Sequence, residues 1–259
     1  MLPLRRQEVA DLVPRLAHNP GALEIPVAAA PACPVCDGTG VLRWDVPYGD
    51  ARFGQIRSCP CCHGADAALM ARVWAVSGLD ADDPQAPSLD GFAEINPATT
   101  RMLTAARAFV ADPAGWLTFH GTWGGGKSHL GEAIMRALIA RGVPTLYLPA
   151  LRLFRYLGAT WRTDEEIDYE RRLAWCSGLP VLIVDEWGKE SSSEATERLR
   201  LELFDARYVA AMRGRGGATV LLSNLPPAAW PDRALASRAQ DRRFVVVEVS
   251  SLDFRQVER

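Results

Sequence analysis

The sequence predicts an α/β fold: a mostly parallel five-stranded sheet built around a phosphate-binding loop, preceded by a small zinc-ribbon-like module. Three observations carry that prediction. From about Ser88 onward, short apolar runs alternate with segments of helical period, which implies a parallel sheet covered on both faces. Gly121-Thr122-Trp123-Gly124-Gly125-Gly126-Lys127-Ser128 fits the pattern G-x-x-x-x-G-K-[ST] in full. Five of the six cysteines crowd between positions 33 and 62 and include two C-x-x-C pairs. Composition agrees, with 259 residues, 48% apolar, 23% charged and a net charge of −2: a globular mix with no general attraction for nucleic acid. No run approaches the ~20 apolar residues that cross a bilayer. With no signal-like N-terminal stretch either, the expectation is a cytoplasmic protein without membrane contact.

Four segments follow along the chain: residues 1–30, 31–64, 65–87 and 88–259. Residues 5–17 have the spacing of a short amphipathic helix interrupted by Pro14, and Asn19–Pro31, rich in Pro and Ala, reads as a tether. Cys33-Pro34-Val35-Cys36 and Cys59-Pro60-Cys61-Cys62 each place thiolates on a tight turn, and the 22 residues between them suit a β-hairpin of Val41–Val46 and Arg52–Arg57. Cys33, Cys36, Cys59 and Cys62 are the expected ligands of a structural Zn²⁺, with Cys61 spare and His63 an outside substitute. An iron–sulfur centre and a redox dithiol are the alternatives. Ala65–Ser77 has helical spacing of Leu69, Val73 and Val76 and stops at Gly78, and acidic Asp80–Pro87 reads as a linker.

In the last segment the expected helices are Thr99–Val110, Ser128–Arg141, Leu151–Leu157, Glu165–Cys176 and Ser193–Met212. The expected strands are Trp116–His120, Thr145–Leu148, Pro180–Val184, Thr219–Ser223 and Phe244–Val249. The glycine loop lies between the first strand and a helix, so Gly121, Gly124, Gly125 and Gly126 turn backbone N–H groups toward phosphates at a helix N-terminus. Lys127 is expected on the β- and γ-phosphates of ATP and the Ser128 hydroxyl on Mg²⁺. Of 29 basic residues only Lys127 and Lys189 are lysines, so an arginine here carries little information and a lysine more. Val181-Leu182-Ile183-Val184-Asp185-Glu186 ends an apolar strand in two carboxylates. Asp185 is expected to hold the Mg²⁺ shell and Glu186 to polarise an attacking water, which points to ATP hydrolysis rather than transfer to an acceptor. Asn224, after the strand Thr219–Ser223, either orients that water or starts a turn at Leu225-Pro226-Pro227; Ser223 is the weaker candidate. Cys176 reads as buried packing.

The ordered set G-T-W-G-G-G-K-S-H-L, V-L-I-V-D-E-W-G, F-D-A-R-Y, L-L-S-N-L-P, A-S-R and D-F-R resembles the bacterial AAA+ replicative-helicase loaders and the related transposition-helper ATPases of insertion sequences. Ser88-Leu89-Asp90-Gly91-Phe92 resembles the segment leading into their ATPase core. The resemblance implies that Asn224 is a sensor and that Arg238 is an arginine finger reaching a neighbour's γ-phosphate, so that subunits self-associate through the ATP site. It also implies that Leu151–Leu157 and Glu165–Cys176 face single-stranded DNA, offering Arg152, Arg155 and Arg162 among Phe154, Tyr156 and Trp161, although a run of acids follows them. Arg255 falls near the closing D-[YF]-R. The function implied first is ATP-controlled loading of a replicative DNA helicase onto single-stranded DNA. The alternatives are a transposition helper on duplex DNA that recruits a transposase, a regulatory ATP-binding module with negligible turnover and, last, a small-molecule kinase.

Overall fold

Each strand of the main sheet ends where a glycine, proline or polar residue stops an apolar run. In the computed structural model the described residues are 41–43, 47, 50, 56–58, 63–158, 166–188 and 194–250. The chain divides into two compact units, Met1–Asp66 and Ala67–Arg259. In the first, β1 (Val41–Arg43) pairs antiparallel with β2 (Ile56–Ser58), Val41 opposite Ser58 and Arg43 opposite Ile56. This ladder lies between the two cysteine pairs, where the sequence expects a hairpin. Cys33, Cys36, Cys59, Cys61 and Cys62 lie outside the described residues, as do the expected N-terminal helix and tether.

The helix α1 (His63–Ser77) runs into the second unit, which continues through α2 (Pro97–Ala111), β3 (Trp116–Gly121), α3 (Lys127–Ala140), β4 (Thr145–Pro149), α4 (Ala150–Gly158) and α5 (Glu166–Gly178). It closes with β5 (Val181–Trp187), α6 (Glu194–Met212), β6 (Ala218–Ser223), a 3₁₀ turn at Pro227–Ala229, α7 (Arg233–Ala239) and β7 (Val245–Val249). The sheet order is β4-β5-β6-β3-β7 and every pairing is parallel. Alternation splits the core into two layers. Val181, Ile183, Val220 and Leu222 join Met102, Leu130, Ile134 and Leu138 of α2 and α3 on one face. Leu182, Val184 and Leu221 join Leu153, Leu157, Leu203 and Leu235 of α4, α6 and α7 on the other. Burial on both faces is why these strands read as unbroken apolar runs. Among the described residues no helix is long and apolar enough to cross a membrane.

Local rules set the boundaries. Asn96 caps α2: its Oδ1 accepts from the N–H groups of Ala98 (2.9 Å) and Thr99 (3.0 Å), and Thr99 Oγ1 accepts in return from the Asn96 N–H at 3.1 Å. Such a box is worth about 1 kcal/mol and starts the helix at Pro97, ahead of the expected Thr99. From Ala67 onward α1 is part of the sheet unit. Val73 is fully buried, and Ser77 Oγ accepts the Tyr147 N–H at 3.2 Å, occupying a donor on the open side of the edge strand β4. Arg152 donates to the carbonyls of Ser77 (3.0 Å) and Val76 (3.2 Å), closing the end of α1. The acidic stretch after it is pinned too, since Arg136 donates to the Asp80 carbonyl at 2.8 Å.

Arg207 is the interior fastener. Fully buried, it donates from Nη1 to the carbonyls of Cys176 (2.9 Å) and Leu179 (3.0 Å), from Nη2 to Ala218, and from Nε to Thr219 Oγ1 at 3.0 Å. It therefore neutralises the negative end of α5 and ties that end to the start of β6. Burial pushes its pKa down to about 9, which leaves it charged at neutral pH.

Candidate nucleotide-binding site

The glycine loop is built so that side chains stay out of it. Gly121 has φ +127°, and a Cβ there would lie 2.1 Å from the Val249 carbonyl oxygen, the atom that accepts the Thr122 N–H at 3.0 Å. Gly126 has φ +83°, and a Cβ would meet the Phe92 ring at 2.9 Å. Phe92, from the Ser88–Phe92 segment, also lies 5.8 Å from the His129 ring, so that segment closes the base of the loop. Gly126 is the N-cap of α3 and, lacking a side chain, adds no cap of its own at the positive end of the helix. Lys127, only 7% exposed, opens α3 and donates from Nζ to the carbonyls of Gly121 (3.0 Å) and Thr122 (2.6 Å), across the loop from its own Cα. Ser128 follows it, exposed on the first turn, and Trp123 is 62% exposed on the loop. The pKa of His120 beside them is lowered, chiefly by burial and further by the Lys127 charge, with Glu248 opposing.

The acidic pair sits on an irregularity. Strand β5 does not stop at Val184 but runs to Trp187, with a register shift between Val184 and Trp187 against β6. Glu186 in that shift is exposed, with φ 56°, the one non-glycine residue of positive φ among the described residues. A left-handed glutamate costs about 1–3 kcal/mol. Trp187 next to it holds the bulge, buried against Phe204 (5.1 Å between ring centroids), Trp230 (5.9 Å) and Phe154 (6.1 Å). Asp185 is buried; Oδ1 accepts the Glu186 N–H at 2.6 Å and Oδ2 accepts the Tyr147 hydroxyl at 2.5 Å. Burial, then the Asp185 charge and hydrogen bond, drive the Tyr147 pKa well above the usual phenol range, so the hydroxyl stays a donor.

The strand ends meet at one edge of the sheet. Ser223 is the register partner of His120 on β3 and of Trp187 on β5, which aligns the loop, the acids and the following Asn224. Gly131 lets α3 lie close: a Cβ there would meet Leu222 at 2.5 Å and Tyr147 at 3.1 Å. Ser223 itself is structural, donating to the Trp187 carbonyl at 2.8 Å and accepting from the Leu225 N–H (3.0 Å) and Trp230 Nε1 (3.2 Å). Asn224 is half-buried at the edge, beside the turn. Arg238 is elsewhere, on α7, ion-paired with Asp205 of α6 and 5.6 Å from the Tyr208 ring centre. The loop amides, Lys127 and Ser128 fit a nucleoside triphosphate, and Ser128 with Asp185 fits a divalent cation. Held by Ser128 and Asp185, such a cation would offset the charge of the phosphates.

Residues 93–252, more than half of the chain, match the family of IstB-like ATP binding proteins. The chain belongs to that family. An insertion sequence ATP-binding protein of Sinorhizobium fredii is 29% identical over 168 residues, 61% of this chain and 53% of the relative, so this IstB-like chain spans about half the relative's length. Among solved structures it resembles the replication initiator DnaA bound to AMPPCP and single-stranded DNA (16% identity, TM-score 0.57, 66% of this chain and 51% of that one). It also resembles the DnaC helicase loader (21%, TM-score 0.50, 69% and 99%). The shared fold is that of AAA+ P-loop ATPase domains.

In this IstB-like fold three of the described residues of the arginine–aromatic set expected on DNA have partners within the chain. Arg152 caps α1 as above, and Phe154 is buried in the core. Tyr156 packs edge-on to Trp175 with Arg172 4.9 Å over its ring, and its hydroxyl accepts from Arg72 at 3.2 Å. Arg155 stays exposed, whereas Trp161, Arg162 and Arg255 lie outside the described residues. Sequence reasoning missed Tyr147, hidden in an apolar strand, and Arg207, hidden among many arginines. The F-D-A-R-Y motif is now legible: Phe204 fills the core, Asp205 holds Arg238, Arg207 fastens α5 to β6, and the Tyr208 hydroxyl donates to Asp241 at 3.0 Å.

Proposed function

We propose that this IstB-like protein hydrolyses ATP with Mg²⁺ and uses the cycle to assemble and release a complex on DNA. One observation supports this most. The phosphate loop, Asp185 and Glu186 share a sheet edge, whereas Arg238 on α7 is ion-paired with Asp205, and a second copy would supply its positive charge. Lys127 and the loop amides bind the phosphates, Glu186 takes the proton of the attacking water, and Asn224 orients that water. Arg238 leaves Asp205 for the neighbour's γ-phosphate, which makes turnover depend on assembly. Specific turnover should therefore rise with protein concentration in wild type and stay flat in Arg238→Ala.

The output on DNA has two readings. Helicase loading stands first on sequence motifs, and the fold shared with a helicase loader accommodates it. The insertion-sequence relative favours the other, a helper that assembles on duplex DNA with ATP and engages a transposase; we place it first. Native mass measured with ATP and Mg²⁺ separates the two. Growth on duplex DNA supports the helper, and a saturable complex with a replicative helicase supports the loader. For the cysteine module we propose structural Zn²⁺ on Cys33, Cys36, Cys59 and Cys62, consistent with the antiparallel pair β1–β2 between them.

A further inference from the structure

We propose that Tyr147 is the positioning residue of the metal-binding carboxylate Asp185, which rests on reading the site as one for Mg²⁺ and ATP. Tyr147 and Asp185 lie on neighbouring parallel strands, with Tyr147 opposite Ile183 and Asp185 opposite Pro149. The two residues are thus offset along the ladder, and only a side chain as long as tyrosine spans the gap. Its hydroxyl donates to Oδ2 at 2.5 Å, while Oδ1 takes the Glu186 N–H at 2.6 Å. Two donors on two oxygens fix the plane of the carboxylate, and each oxygen of an ionised aspartate keeps lone pairs for a further partner. The backbone alone supplies only the second donor, so without Tyr147 a single hydrogen bond is left to hold the group about Cβ–Cγ.

Tyr147 is itself held in place. Its main-chain N–H is bound to Ser77 Oγ at 3.2 Å, and the absent Cβ of Gly131 leaves room for the ring between α3 and the sheet. A phenylalanine would fill the same apolar space among the buried residues of α3 and β5. What tyrosine adds is the hydroxyl, and the hydroxyl's acceptor is Asp185. The helix α1, through Ser77, therefore supports the residue that orients the metal-binding acid.

The test is Tyr147→Phe, with the Mg²⁺ dependence of fluorescent ATP-analogue binding as the readout beside turnover. Losing one hydrogen bond to a charged acceptor should raise the Mg²⁺ concentration for half-maximal tightening about 10-fold, with affinity in EDTA changed less than about 2-fold. Tyr169→Phe is the matched control, since its hydroxyl donates to Glu202 at 2.5 Å, away from the nucleotide loop. It should leave the Mg²⁺ curve in place. A folded Tyr147→Phe protein with the wild-type Mg²⁺ midpoint overturns the proposal and makes the hydrogen bond merely structural. Wild-type protein whose analogue binding ignores Mg²⁺ overturns the nucleotide-site reading first.

Discussion

Lys127 and Arg207 are both buried cations held by backbone carbonyls, yet they sit in opposite kinds of surroundings. Arg207 draws its acceptors from the end of α5 and the start of β6, elements fixed by the core on both sides. Lys127 draws Gly121 and Thr122 from the loop it belongs to, whose glycines give it backbone freedom. Acceptors that cannot move make a cation a fastener. Acceptors in a glycine loop can be exchanged for phosphate oxygens, which makes the other cation a ligand. The difference lies in the partners, not in the burial.

The largest effects should cross over between these two residues. Arg207→Met leaves several buried carbonyls without donors and should cost about 3–5 kcal/mol in denaturant unfolding. In the surviving folded fraction, nucleotide affinity should stay near wild type. Lys127→Ala should change stability by about 1 kcal/mol or less, yet weaken ATP binding or turnover by at least about 10²-fold. A Lys127→Ala protein that unfolds while Arg207→Met stays stable would break the comparison outright.

Glu186 sharpens it from the catalytic side. Glycine accepts φ 56° without strain, so Glu186→Gly should stabilise the fold by about 1 kcal/mol while turnover falls about 10²–10⁴-fold. Thermal unfolding and phosphate release read the two quantities separately. Equal or lower stability in Glu186→Gly would mean that the bulge around Trp187 sets the backbone at no cost.

Arg238 lies between the two classes, a half-buried cation whose partner is a carboxylate with 43% of its side chain exposed. Asp205→Ala should cost no more than about 1 kcal/mol. Arg238→Ala should leave nucleotide binding intact while turnover of the assembled protein falls about 10³-fold. Titrating inactive Lys127→Ala chains into wild type should preserve part of that turnover, because they still carry Arg238. If Arg238→Ala retains full concentration-dependent turnover, the finger is another residue.

The sequence made the loop, the acidic strand and the sheet legible because each depends on local pattern: glycines at fixed spacing, apolar runs, carboxylates at a strand end. What it hid depends on tertiary partners. The spacing of Leu69, Val73 and Val76 marks a helix but cannot say that Ser77 will cover the edge of β4. Arg152 looked free for DNA because a helix C-terminus 75 residues away in sequence was not visible as its acceptor. The extension of β5 to Trp187 required the aromatic cluster of Phe154, Phe204 and Trp230, drawn from three separate elements. Helix α7 is short, and its Asp232 cap, bound to the Leu235 N–H at 2.9 Å, stands among residues that read equally as turn.

The smallest effect tests how firmly the Arg207 end is sealed. Burial pushes the Cys176 thiol up to about 12, although Arg207, Arg72 and Arg172 pull it down. A raised thiol pKa means less thiolate at any given pH. At pH 8 the native thiol should therefore react with iodoacetamide about 10³-fold more slowly than an unfolded cysteine of pKa ≈ 8.5. Opening of the α5 end, which returns the thiol to its ordinary pKa, should add to that slow basal rate. The Cys176 carbonyl is an Arg207 acceptor, so Arg207→Met should speed labelling of that peptide, as followed by mass spectrometry, whereas Lys127→Ala should not. Equal labelling in both variants would mean that the end of α5 is closed by its apolar packing alone, and that Arg207 fastens only the start of β6.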